Sequence, residues 1–129
     1  MLRPVPKDRS AYLVIAHGSR EPKSGEAFRR FLDSFRKKVK DRKVVGAYLE
    51  LNKPDIPEAI EDCIASGDRQ IFIVPLMLFP GRHVKEDIPK FIQEAKARHP
   101  EVDFHYGGPL AEDPKMLELL QSRITQMSS

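Results

Sequence analysis

The sequence predicts a single α/β domain: a four-stranded, mostly parallel sheet flanked by helices as a three-layer sandwich. Four short β-like runs alternate with four helical patterns along the 129 residues, which is how a parallel α/β sheet reads. The first and third runs are almost continuously apolar, as in strands covered on both faces. A chain of 129 residues, 40% of them hydrophobic, can build one core but leaves nothing for a second domain at roughly 150 residues each.

Residues 1–10 show no apolar periodicity and are expected to form a flexible N-terminal segment. The domain is expected over 11–125. The strands are read at Ala11–Ala16, Val44–Leu51, Gln70–Leu78 and Val102–Tyr106. The first helix carries Phe28, Phe31, Leu32, Phe35 and Val39, an i, i+3, i+4, i+7 set. In the second, Ile56, Ile60, Cys63 and Ile64 form the stripe, Asp55 with Glu58 opens it like a capping box, and Gly67 closes it. Cys63 lies on that stripe and reads as core packing. The third carries Ile88, Phe91, Ile92 and Ala95, with Asp87 as its N-cap, Pro89 in its first turn and His99-Pro100 at its end. The fourth opens at Asp113-Pro114 and carries Met116, Leu117, Leu120 and Ile124. Residues 126–129 are expected to fray.

Charge and composition exclude several classes. Thirty-two per cent charged residues, with no apolar run near the roughly 18 residues of a membrane span, argue against a membrane protein. The first ten residues lack the apolar core of a secretory signal, so a cytoplasmic location is expected. The 22 Lys+Arg exceed the 19 Asp+Glu by three. However, the densest basic stretch, Arg29 to Lys43, is interleaved with apolar residues at helical spacing. It reads as the wet face of a helix, and no nucleic-acid-binding motif accompanies it. One cysteine cannot form a disulfide within the chain, so any metal must be held by His, Asp or Glu.

In an open parallel sheet, ligands bind beyond the carboxyl ends of the strands. The first strand runs into His17-Gly18-Ser19-Arg20, the second ends near Glu50, and the third leads to Phe79-Pro80-Gly81-Arg82-His83. Two imidazoles and a carboxylate at one edge suit a borderline divalent ion such as Co²⁺, Fe²⁺, Ni²⁺ or Zn²⁺. The same groups can take protons from a substrate. Arg20, Lys53, Arg82 and Lys85 would place positive charge around the mouth, suited to carboxylates. Taken singly, each of these residues reads more readily as a loop hydrogen-bonder or a surface charge, and only the two histidines at equivalent strand ends bring the readings level. His99, at a helix C-terminus, and His105, in the fourth strand, read as structural. No glycine-rich phosphate loop is present. Ser19 does not sit in a nucleophile elbow, and Ala16 precedes His17 where histidine phosphatases carry Arg.

Three stretches carry a family resemblance: Ala16-His17-Gly18-Ser19-Arg20, then Leu49-Glu50-Leu51 leading to Pro54 and Pro57-Glu58-Ala59-Ile60, and above all Val74 through Pro89. Together they resemble the CbiX-type sirohydrochlorin chelatases, from about residue 11 to about 125, including a Gly-Pro-Leu turn at Gly108–Leu110. The resemblance implies ATP-independent insertion of Co²⁺ or Fe²⁺, or Ni²⁺, into sirohydrochlorin, in cobalamin or sirohaem biosynthesis. The ion would be a substrate, with no tightly bound cofactor. His17 and His83 carry over as metal-binding and proton-accepting residues, and Glu50 through a looser motif. Ser19, Arg20, Arg82 and Lys85 are the expected contacts to the acidic macrocycle. Asp55 stands where the family commonly has Ser, at a helix cap away from these residues. The same residues would also serve a non-catalytic carrier of metal or tetrapyrrole. Chelatases of this kind are commonly about twice this length, with two similar lobes, so a single lobe implies a symmetric homodimer.

Overall fold

The computed structural model describes residues 9–128. In chain order it contains β1 (Ser10–Ala16), α1 (Pro22–Val39), β2 (Lys43–Tyr48), α2 (Ile56–Ala65) and β3 (Gln70–Pro75). A single π-helical turn (His83–Asp87) then runs straight into α3 (Ile88–Arg98), followed by β4 (Asp103–Tyr106), a 3₁₀ turn (Leu110–Glu112) and α4 (Pro114–Ser128). The sheet order is β2-β1-β3-β4, and every pairing is parallel. Residues 1–8 of the expected N-terminal segment lie outside the described residues. Ser10 is already in the sheet, paired with Gln70.

Alternation along the central strand sorts the two faces. Leu13, Ile15, Ile71 and Ile73 point to one side and meet Ile56, Ile60 and Ile88 from α2 and α3, all without measurable exposure. Each such side chain adds about 1.5–3 kcal/mol by leaving water. Cys63 is part of this core, and burial pushes its thiol up to about 11, so it packs and does not react. Tyr12, Val14, Val44 and Tyr48 face the other way, where α1 seats Phe28 and Leu32. α1 approaches so closely that a Cβ at Gly46 would stand 2.6 Å from Leu32 Cδ1. Arg36, from the basic stretch, donates to the Val44 carbonyl at 2.9 Å, tying α1 to β2.

Local chemistry explains the boundaries, including those that differ from expectation. Asp55 caps α2 as its spacing implies, accepting the Glu58 N–H at 2.9 Å. β2 stops at Tyr48, not Leu51, because the chain bends through Leu51 at φ 69°. β3 stops at Pro75, which has no N–H to continue a ladder. Asp87 is not a cap: it has helical dihedrals inside a helix that begins four residues earlier, at His83. α4 continues through Ser128, so Gln126 to Ser128 are helical rather than frayed, and Ser129 lies outside the described residues. None of the α4 residues is buried.

The Asp55 carboxyl is held below its ordinary value of 3.8, first by the Glu58 N–H, against the cost of partial burial. A depressed folded-state value means that the charged form stabilises the fold above the ordinary carboxylate range, and that this contribution disappears as pH falls through the folded value. Asp55→Ala should therefore cost about 1 kcal/mol at neutral pH. In denaturant midpoints measured down to about pH 2, the gap from wild type should close.

Candidate functional site

Because all four strands run the same way, their carboxyl ends share one edge, and backbone bonds continue the ladder past the strands themselves. The Leu49 N–H donates to the Ala16 carbonyl at 2.9 Å, and the Glu50 N–H to the His17 carbonyl at 3.1 Å. The two loops touch at Gly18, which has φ 105°; a Cβ there would lie 1.8 Å from the Glu50 carbonyl oxygen. Only glycine permits both that dihedral and that approach. Asn52 closes the arrangement: its side-chain oxygen accepts the Ser19 N–H at 2.7 Å, and its own N–H donates to the Glu50 carbonyl at 2.8 Å. His17 Nε2 and Glu50 Oε1 thereby come to 3.0 Å.

His83 arrives from the third strand end. The π-helical turn lets the Ile88 N–H reach back to the His83 carbonyl, and such widened turns recur at functional positions. The turn is pinned by Val84, which is buried, and by the Tyr106 hydroxyl donating to the Val84 carbonyl at 2.8 Å. Burial pushes the Tyr106 phenol up to about 12, so it stays a neutral donor. The rings of His17 and His83 then face each other edge-on, with centroids 5.3 Å apart.

His83 Nδ1 lies 2.7 Å from Asp87 Oδ2. A carboxylate accepting from Nδ1–H fixes the ring's rotation and leaves the Nε2 lone pair for a ligand or a proton. Sequence reasoning missed this role by reading Asp87 as a helix cap. The usable signal was the i, i+4 spacing of His83 and Asp87 on a helical stretch. It missed Asn52 as well, since a loop asparagine bonding another loop leaves no periodic trace.

The three central side chains are about half exposed: 52% for His17, 53% for Glu50 and 43% for His83. Glu50, His83 and Asp87 line an open cleft of about 280 Å³. His17 and Ser19 line a smaller one of about 220 Å³ on the α1 side. Among the described residues, no three His, Cys, Asp or Glu side chains are grouped tightly enough to hold an ion as they stand. The His17–Glu50 hydrogen bond occupies an atom that a cation would take. Two imidazoles and a carboxylate in this open form offer ligands to an incoming cation and bases to a proton, without a closed cage.

The outer residues divide. Arg20 and Ser19 flank the α1 side of the site, where the Ser19 hydroxyl accepts the Glu21 N–H at 3.0 Å. Arg82 is 80% exposed and loosely paired with Glu86 at 3.6 Å. Lys85 is exposed on the same turn. Lys53 lines the same cleft as Arg20, but its ammonium is paired with Glu58 at 2.5 Å and Asp55 at 3.3 Å on the α2 cap, which offsets its charge there. His99 bonds Glu61 at 2.9 Å, joining α3 to α2, and His105 stacks on Phe72 at 4.6 Å between centroids. Both are structural, as expected.

The chain is 34% identical over 116 residues to a sirohydrochlorin ferrochelatase of Priestia megaterium, covering 90% of this chain and 44% of that protein. It is 30% identical over 133 residues to a sirohydrochlorin cobaltochelatase of Methanothermobacter thermautotrophicus, covering 92% of each. Among solved structures, the sirohydrochlorin chelatase SirB of Bacillus subtilis subspecies spizizenii, in complex with cobalt, superposes with a TM-score of 0.80 and 31% identity, over 92% of this chain and 50% of that one. The chain spans less than half the length of the first curated relatives it matches. The CbiX family model matches residues 11–127, nearly the whole described domain, and the chain belongs to the CbiX family.

Proposed function

We propose that this chain inserts a divalent metal ion, Co²⁺, Fe²⁺ or Ni²⁺, into sirohydrochlorin without ATP. The observation that carries the reading is the facing pair His17 and His83, 5.3 Å apart between ring centroids, with Glu50 on His17, at an open strand edge. The relatives' names supply the substrate. An ion binds His83 at Nε2, the nitrogen that Asp87 leaves free, and binds His17 once Glu50 lets go of it. Acidic groups of the macrocycle lie against Arg20, Arg82, Lys85 and Ser19, with Arg82 released from its weak pairing to Glu86. Two pyrrolic protons leave as the ion enters, which keeps the charge balanced, and Glu50 and the imidazoles are the bases within reach. The ion is substrate and leaves with the product. Half-exposed ligands suit this task, because a closed cage would retain the ion.

The same reading includes a homodimer acting in the cytoplasm, in cobalamin or sirohaem synthesis. Its cytoplasmic part is supported by a single cysteine that is free and buried. Among the described residues no helix is long and apolar enough to cross a membrane.

The direct test is anaerobic incubation of sirohydrochlorin and each metal with substoichiometric protein, followed by absorption. Many turnovers per chain are expected, whereas stoichiometric binding without turnover would identify a carrier instead. His17→Ala and His83→Ala should each lower turnover by about a hundredfold or more with the circular dichroism of the fold retained, and near-wild-type metallation by either would sink the assignment.

Two further variants probe the supports of the site. Gly18→Ala must push the loops apart, so turnover should fall about as far as in His17→Ala, while the apolar core, which Gly18 does not touch, keeps the chain folded. Asp87→Ala should lower kcat by about 10–100-fold with KM for sirohydrochlorin little changed. Asp87→Asn, which can still accept from Nδ1–H, should recover part of the loss; equal loss in both variants would show that Asp87 does not orient His83.

A further inference from the structure

The side chains assigned to the site so far are polar, whereas a site that takes an organic ring is lined mostly by apolar ones. Apolar surface stands beside them. Among the described residues, the exposed large apolar side chains fall in three places: on α4, at Phe31 and Val74 on the α1 face of the sheet, and at Leu51, Leu78 and Phe79. The last three all follow the carboxyl ends of β2 and β3. β1 runs between those strands, so the two loops leave the sheet about 10 Å apart, one on each side of His17. Leu51 is 56% exposed, Leu78 46% and Phe79 72%.

Single exposed apolar residues are ordinary on any protein, but these loops carry theirs on unusual backbone. The Asn52 N–H donates to the Glu50 carbonyl, two residues back, at 2.8 Å, with Leu51 between them at φ 69°. A three-residue turn of positive φ is rare and strained, and a bulky residue suits it far less well than asparagine or glycine. In the other loop, the Gly81 N–H donates to the Phe79 carbonyl at 2.9 Å across Pro80, whose ring fixes φ. Both turns are tight and hydrogen-bonded, so their backbones have little freedom left to lose when a ligand packs on them. Strain of this kind persists where a ligand uses it.

We propose that Leu51 and Phe79, with Leu78, form the seat for the apolar face of the tetrapyrrole, while Arg20, Arg82 and Lys85 meet its acidic rim. A tetrapyrrole is an apolar disc edged with carboxylates, and one molecule engages both kinds of surface. The three apolar residues supply affinity and take no part in ligation or proton transfer. Their role rests on the metal-insertion reading above and adds to it a surface selective for a flat apolar ring.

Titration with metal-free sirohydrochlorin, followed by absorption, and steady-state turnover on the same samples test the seat. Phe79→Ala and Leu51→Asn should each raise Kd and KM about tenfold, with kcat little changed. Phe79→Leu, which keeps most of the apolar area, should recover most of the affinity. Leu51→Asn should also raise the thermal midpoint by a few degrees, because asparagine accepts positive φ more readily. Unchanged Kd and KM in both variants, with wild-type turnover intact, overturn the seat and leave the chelatase standing. A wild type that binds sirohydrochlorin without turning it over defeats the chelatase alone, and weaker binding by the two variants then still supports the seat. A lower thermal midpoint in Leu51→Asn would make Leu51 a packing residue of its own chain, and altered sedimentation of Phe79→Ala would set Phe79 against a second copy; either result overturns the seat.

Discussion

The backbone ladder between β1 and β2 does not end where the strands end, and the site depends on that extension. Parallel pairing sets Ala16 opposite Tyr48, and two more bonds carry the pairing on to His17 and Glu50. The side chains therefore inherit their 3.0 Å separation from main-chain geometry and not from attraction between them. At about half exposure, solvent screens such a pair to little net energy, so it could not hold the loops together. Gly18 is the condition on this arrangement, since any side chain there meets the Glu50 carbonyl. The apolar core beneath supplies the rigidity, and the site is spared from supplying any.

His83 is positioned on a different principle. No ladder bond reaches it from β3: the pairing with β1 ends with the Leu76 N–H on the Ile15 carbonyl, and the chain loops out through Pro80 and Gly81 before turning helical. Its placement rests on the π-helical turn, on Val84 sunk into the core, on the Tyr106 hydroxyl and on Asp87. One imidazole is thus held by sheet geometry and the other by a helix start. The two anchors belong to different elements and share no backbone bond. A site of the proposed kind, which takes up an ion and gives it away, is served by separate anchors, whereas a structural metal site is held closed.

What the sequence disclosed follows the same physics. Long-range pattern was legible: apolar strands, helical stripes, the Asp55 cap and the rule that parallel strand ends make the site led to the sheet and to His17, Glu50 and His83. Features built from one residue answering another across loops were not. Leu51 in a left-handed conformation ended β2 early, and a run of apolar letters hid that. Asp87, beside Ile88-Pro89, has the composition of a cap, and only the continuous helix from His83 reveals it as a side-chain partner. Lys53 does line the cleft with Arg20, but its pairing with two carboxylates on the α2 cap left no trace in the spacing.

The apolar pattern of α4 was equally legible, but its meaning was not. Periodicity says that a face will be covered and is silent on what covers it. In the first three helices the answer lies within the same chain, and burial follows. In α4 the hydrogen bonds at the 3₁₀ turn decide the direction of the helix before its side chains find a surface. Hydrophobic burial is non-directional and is satisfied by any matching apolar surface, while the bonds that aim the helix are local and specific. Where the two disagree within one chain, the helix keeps the direction its local bonds set and its apolar stripe stays exposed.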